Sequence, residues 1–169
     1  MRHAIMGALL FCALGGPIAT AEEAACTGFA WPMEREAKLF AEAGQPIASG
    51  ATLDALPEAA VKLSLVAQSE AAYPIARDRE PKTAESKGGW IVLPAPSAAG
   101  IYQVTLSSEG WIDVAQSGTV LKSTAFASDR GCKSMHKSVR FDLKAEPVTI
   151  QLSDMPASEV TLTILPASS

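Results

Sequence analysis

The feature that most constrains this chain is a change of period. From residue 60 onward apolar residues recur at every second position, in run after run. AVKLSLVA (60–67) puts Val61, Leu63, Leu65 and Ala67 on one face; GIYQVTL (100–106) does the same with Tyr102, Val104 and Leu106. SVRFDLK alternates Val139, Phe141 and Leu143, VTIQL alternates Val148, Ile150 and Leu152, and VTLTIL alternates Val160, Leu162 and Ile164. WIVL (90–93) and WIDVA (111–115) are short apolar runs. Successive side chains of an extended chain point to opposite faces, so each alternating run has one face to bury and one to show. Most of these runs are rich in Val, Ile, Thr or aromatic residues and are bounded by Gly, Pro, Ser or Asp, as strands are. No helical period separates them, which excludes a βαβ architecture. The expectation is a mainly β chain: an antiparallel β-sandwich, jelly-roll-like, of seven to eight strands.

Before these runs the period is helical. In CTGFAWPMEREAKLFAEAGQP (26–46), Pro32 suits a first turn and Glu34 and Glu36 sit near the positive end. Gly44 and Pro46 stop the segment, and Phe29, Trp31, Ala37, Phe40 and Ala41 form one apolar stripe. One short helix is predicted over about 33–43, packed on the sandwich as a lid. YPIARDREPKTAESKGG (73–89) is charged, holds two prolines and reads as a long exposed loop. LPAPSAAG (93–100) is a second connector.

The N-terminus bounds where such a chain works. Arg2 and His3 precede an apolar stretch from Ala4 to Gly16, and Ala19-Thr20-Ala21 fits the pattern at which signal peptides are cut. The stretch is shorter than the ~20 residues that span a bilayer, and no other run approaches that length. Residues 1–21 are therefore expected to be a signal peptide, and 22–169 a single exported domain, periplasmic, with no membrane span. Cleavage removes Cys12 and leaves Cys26 and Cys132, a lone pair that invites a disulfide in an oxidising compartment. Without Arg2, thirteen Lys and Arg stand against eighteen Asp and Glu, a net charge of −5. That balance argues against nucleic acid and anionic membrane surfaces as partners. The small basic set Arg130, Lys133, Lys137 and Arg140 reads as a solvated edge.

Few residues carry chemistry. His136 is the only histidine outside the signal segment, which argues against iron sites, zinc hydrolases and a Ser-His-Asp triad. Cys132, Met135 and His136 are soft-metal ligand types within DRGCKSMHKSVRF (129–141), and form a copper site only if Cys132 is a free thiolate. With Cys132 in a disulfide, His136 is expected on an exposed turn. Asp113 interrupts an apolar run in GWIDV; alternation puts it on an outer face, and it is the first suspect for any carboxylate-based enzyme.

AAGIYQVTLSSEGWIDV and SVRFDLKAEPVTIQLS together resemble bacterial pre-peptidase C-terminal domains, over about residues 95–165. The chain departs from that pattern in the turn AEP (145–147), where the family usually has glycine, and in its helix, Cys26 and Cys132. The whole chain is also similar to small exported proteins of Gram-negative bacteria. The resemblance implies a β-sandwich, usually non-catalytic, that binds or supports other surfaces. The function expected from residues and resemblance together is a binding or accessory module without cofactor. Its partner is a protein or glycan of the cell envelope, and Trp90, Tyr102, Trp111 and Asp113 are the candidate contacts.

Overall fold

The computed structural model describes residues 26–168; the expected signal segment, 1–21, lies outside the described residues. The chain is mainly β. After helix α1 (Glu34–Phe40) come β1 (Gln45–Ala48), β2 (Ala51–Thr52), β3 (Val61–Ser64) and β4 (Val66–Ala67). A 3-10 turn at Gln68–Glu70 leads toward β5 (Lys87–Leu93), β6 (Gly100–Leu106), β7 (Trp111–Gln116) and β8 (Thr119–Val120). The chain ends with β9 (Ser123–Ser128), β10 (Lys137–Leu143), β11 (Val148–Met155) and β12 (Glu159–Pro166).

The first sheet runs β1-β3-β12-β6-β10-β9 and the second β2-β5-β11-β7-β8, with β4 also on β5. Strands contributed last by the chain thus sit inside both sheets. All seven predicted runs are strands. Twelve strands are formed where seven to eight were expected, because β1, β2, β4, β8 and β9 are short or built from small polar residues that carry little alternation. The sheets are mixed rather than antiparallel: β1 pairs β3, and β2 pairs β5, in parallel register. Helix α1 has seven residues, shorter than the predicted 33–43, and no side chain caps its start.

Alternation supplies the core. Val61, Leu63, Val104, Leu106, Val139, Phe141, Leu162 and Ile164 of the first sheet and Ile91, Leu93, Ile112, Val114, Ile150 and Leu152 of the second join one buried cluster. Each fully buried Leu, Ile or Val is worth about 1.5–3 kcal/mol over exposure, before the entropy of ordering it. The chain passes from one sheet to the other between β1 and β2, across Gly50, and between β3 and β4, at Leu65. Gly50 has φ +89° and lies against the Trp90 ring, a conformation and a clearance that suit glycine. One flank of the sheet pair is thereby joined twice. At the other flank, β7 turns into β8 through Ser117 and Gly118, both with positive φ, and the chain then crosses to β9.

Two segments cover the outer faces. Residues 26–41 lie on the first sheet, where Cys26, Phe29, Trp31, Met33, Ala37, Phe40, Cys132 and Met135 form a separate small apolar cluster. Cys26 and Cys132 are joined by a disulfide with Cα atoms 4.7 Å apart. For a closed loop of this size the chain-entropy estimate is about 4.7 kcal/mol. Residues 71–86 lie on the second sheet. The sequence predicts an exposed loop over 73–89, but Lys87, Gly88 and Gly89 belong to β5. The rest is a strap whose side chains alternate half-buried and exposed over 73–81, are exposed over 82–85 and end on the buried Ser86.

Candidate functional site

The strap and β7 together build a cluster of polar groups that departs from ordinary surface chemistry. Trp90 on β5, Gln151 on β11 and Asp113 on β7 are register partners, one row across the outer face of the second sheet. The strap docks on this row. The Ile75 N–H donates to Gln151 Oε1 at 3.0 Å, and Gln151 Nε2 donates back to the Ile75 carbonyl at 3.0 Å. The Asp78 N–H donates to Asp113 Oδ2 at 3.3 Å, and Trp111 Nε1 donates to Asp113 Oδ1 at 2.7 Å. Tyr73 donates its hydroxyl to the Leu152 carbonyl at 2.7 Å and crosses β5 at Gly88, where a Cβ would collide with that hydroxyl. Arg79 pairs with Asp154, whose other oxygen accepts the Lys82 N–H at 2.6 Å.

Asp113 therefore lies on the outer face, as alternation requires, yet is only 3% exposed because the strap covers it. Burial raises its carboxyl above the usual aspartate range, and the donors from Trp111 and Asp78 oppose that rise only in part. Lys137, at the start of β10, is lowered by burial and by the neighbouring charges of Arg79 and Lys82; its ammonium donates to the Gly110 carbonyl at 2.8 Å. Arg79 stacks over the Trp111 ring at 4.3 Å, and Lys137 lies 5.0 Å from the same ring.

Next to this cluster the sheets part. A cleft of about 690 Å³ opens on the flank of β8 and β9, within the roughly 300–1,000 Å³ range of small-molecule sites. Ile112, Val139 and Phe141 reach it from the inner faces, and Val120 and Leu121 come from the β8 crossing. Phe126 on β9 stands at its mouth, 64% exposed, a large apolar ring left in water. Trp111, Asp113 and Lys137 close one end.

The predicted contact residues are thus placed differently. Trp111 and Asp113 line the cleft. Trp90 is half-buried on the same outer face, and its Nε1 donates to the Ala71 carbonyl at 3.0 Å. Tyr102 is 6% exposed in the core and donates to the Ala98 carbonyl at 3.0 Å. The cysteine of the predicted copper set is committed to its disulfide and cannot be a thiolate ligand while that bond stands. Met135 is buried in the small cluster with Cys132. His136 is half-buried rather than exposed: its N–H donates to the Leu106 carbonyl, and its carbonyl accepts the Asp129 N–H. The basic set divides, with Arg130 and Lys133 exposed and Lys137 at the cleft. Arg140 lies 4.2 Å over Trp31 and bonds Gln103.

Sequence reasoning missed Val120, Leu121, Lys122 and Phe126. The signal for Phe126 was a lone aromatic in the small polar run STAFAS. It missed Glu36 as well, a carboxylate 1% exposed that accepts from Arg35 at 2.8 Å and from Gln103 at 3.0 Å beneath α1. Compared with family models, curated proteins and solved structures, the chain matches none. Among the described residues no helix is long and apolar enough to cross a membrane.

Proposed function

We propose that the chain is an exported, non-catalytic binding module of the bacterial periplasm whose ligand enters the cleft between the sheets. The observation that carries this reading is a formed, mainly apolar cleft whose mouth keeps Phe126 in water, at the flank where the chain crosses from β8 to β9. Such a ring gains free energy by being covered, about 25 cal/mol for each Å² of apolar surface removed from water. The two sheets with one shared core read as the layers of a β-sandwich of jelly-roll-like type. The disulfide fits an oxidising compartment.

Asp113 is the residue an enzymatic reading would use. Both of its oxygens already accept donors, one from Trp111 and one from the strap, which makes it the anchor of the cover. Its raised carboxyl reflects the desolvation that this anchoring costs.

Titration of the chain from residue 22 with the neutral apolar fluorophore N-phenyl-1-naphthylamine tests the reading. Saturable binding that perturbs Trp111 emission is expected, together with clear weakening in Phe126→Ser, where the exposed ring can be removed without disturbing the core. Absence of saturable binding, or binding indifferent to Phe126→Ser, overturns it.

A further inference from the structure

A second recess, of about 390 Å³, adjoins the cleft and shares Trp111, Phe126 and Lys137 with it. The two make one depression that bends around the Trp111 ring, and its two arms differ in chemistry. The first arm is lined mainly by aliphatic and aromatic side chains, with Asp78, Asp113, Lys122, Ser123 and Lys137 at its polar margin. The second carries Arg79, Lys82, Arg130 and Lys137 against two carboxylates, Glu109 and Asp154.

Those carboxylates are already engaged. Asp154 holds Arg79 and the Lys82 amide, and Glu109 stands 3.6 Å from Arg130. Among the described residues, neither Lys82 nor Lys137 has a carboxylate within salt-bridge distance of its ammonium. The Arg79 Nε is buried with no hydrogen-bond partner among those residues. In a chain of net charge −4, this is a local excess of positive charge beside an apolar slot. Cations crowded in one recess repel one another, and burial first, then the charges of Arg79 and Lys82, lower the Lys137 ammonium. An anion seated among them would reverse the sign of the interaction.

We infer that the ligand is an anionic amphiphile, its single hydrocarbon chain in the slot lined by Leu121, Phe126 and Phe141 and its carboxylate or phosphate head beside Arg79, Lys82 and Lys137. The inference rests on the binding reading above and narrows it. The walls formed by Ile112, Val120, Leu121, Val139 and Phe141 offer no partner to a glycan hydroxyl buried against them, which costs free energy for each one. A cationic or neutral head would forgo the charge complementarity of the second arm. Arg79 also belongs to the strap, through Asp154, so the head group and the cover of the second sheet share one guanidinium.

The test is calorimetric titration of the chain from residue 22 with dodecanoate, dodecyl phosphate and dodecanol at low and high salt. Both anionic probes are expected to bind about ten-fold or more tighter than dodecanol at low salt, the effect of one or two charge-assisted contacts. That advantage is expected to shrink as salt rises. Whichever anion binds tighter assigns the head as carboxylate or phosphate. Lys137→Gln and the exposed Lys82→Gln are expected to narrow the gap between the anionic probes and dodecanol. Lys82→Gln removes no buried group, so its result does not depend on folding. Dodecanol binding as tightly as the anions, or an advantage indifferent to both substitutions, overturns the head-group inference and leaves the cleft reading standing. If none of the three binds, both fall.

Discussion

Over the first sheet, residues 26–41 are held by an apolar cluster around Trp31, Met33 and Met135 and by a covalent bond at Cys26. Over the second sheet, residues 71–86 are held by Tyr73, Gln151, Asp113 and Asp154 through hydrogen bonds and one ion pair. Both segments keep water off a sheet face, but they are built for different duties. Apolar contacts and a disulfide hold one arrangement in every condition short of reduction. Hydrogen bonds to a strap exchange readily with water, so their net worth is small and their geometry is reversible. The fixed cover lies away from the cleft and the reversible one borders it. The comparison places the molecule's adjustable part beside its candidate site.

The largest effect should come from cutting the fixed cover. Cys132→Ser is expected to lower the unfolding free energy by as much as about 4.7 kcal/mol in denaturant titrations without reductant. Hydrogen exchange should quicken at the Ala37 amide and leave the Ile75 amide unaltered; equal quickening at both would mean that the covers are one cooperative unit. Next comes Asp154→Asn, which removes the charge facing Arg79 while keeping a side chain that tolerates the left-handed backbone at this position, φ +55°. A loss of about 1–2 kcal/mol is expected, with faster proteolysis confined to 77–86. An unchanged cleavage pattern would show that the strap does not depend on this pair.

Tyr73→Phe should cost about 1 kcal/mol, because the hydroxyl both donates to Leu152 and accepts from Gln68. The smallest effect is in pH. Burial alone would raise the Asp154 carboxyl, but Arg79 and the Lys82 amide outweigh it and hold it below the ordinary aspartate value of 3.8. Its contribution is therefore present above 3.8 and lost as pH falls through the lower folded value. Asp113 has the opposite sign: raised by burial, it adds stability below 3.8 that is lost as pH rises through its folded value. The gap in stability between the wild type and Asp154→Asn should accordingly close in acid, as urea titrations at a series of pH values would show. A gap that persists there would assign the effect to packing.

What the sequence disclosed follows the same division. Alternation announced β3, β6, β10, β11 and β12, because Val61 through Ile164 carry one buried face regardless of what lies opposite, and short apolar runs announced β5 and β7. Cysteine count announced the disulfide, because Cys26 and Cys132 are the one pair left once the expected signal segment is set aside. The small cluster was legible in the stripe of Phe29, Trp31, Ala37 and Phe40. The strap was not, since Asp78 meets Asp113 and Arg79 meets Asp154 across 35 and 75 residues, and no local pattern encodes such pairs. The cleft was hidden for a related reason: it exists where β8 and β9 fail to close the flank, and both strands are too short or too polar to alternate. The parallel edges arise from strands that switch sheets at Gly50 and Leu65, a property of the corner rather than of the runs that meet there.

Both sheets also have a timetable. β12 stands between β3 and β6, and β11 stands between β5 and β7. Until residues 148–166 have been synthesised, the strands on either side each lack one neighbour, and the earlier chain has only the separate pairs β1–β3, β2–β5, β4–β5, β6–β10, β9–β10 and β7–β8 to form. Such a chain acquires its tertiary structure late and all at once, through contacts distant in sequence, which are slow to form. A nascent polypeptide of this design has neither sheet continuous until its last two strands exist.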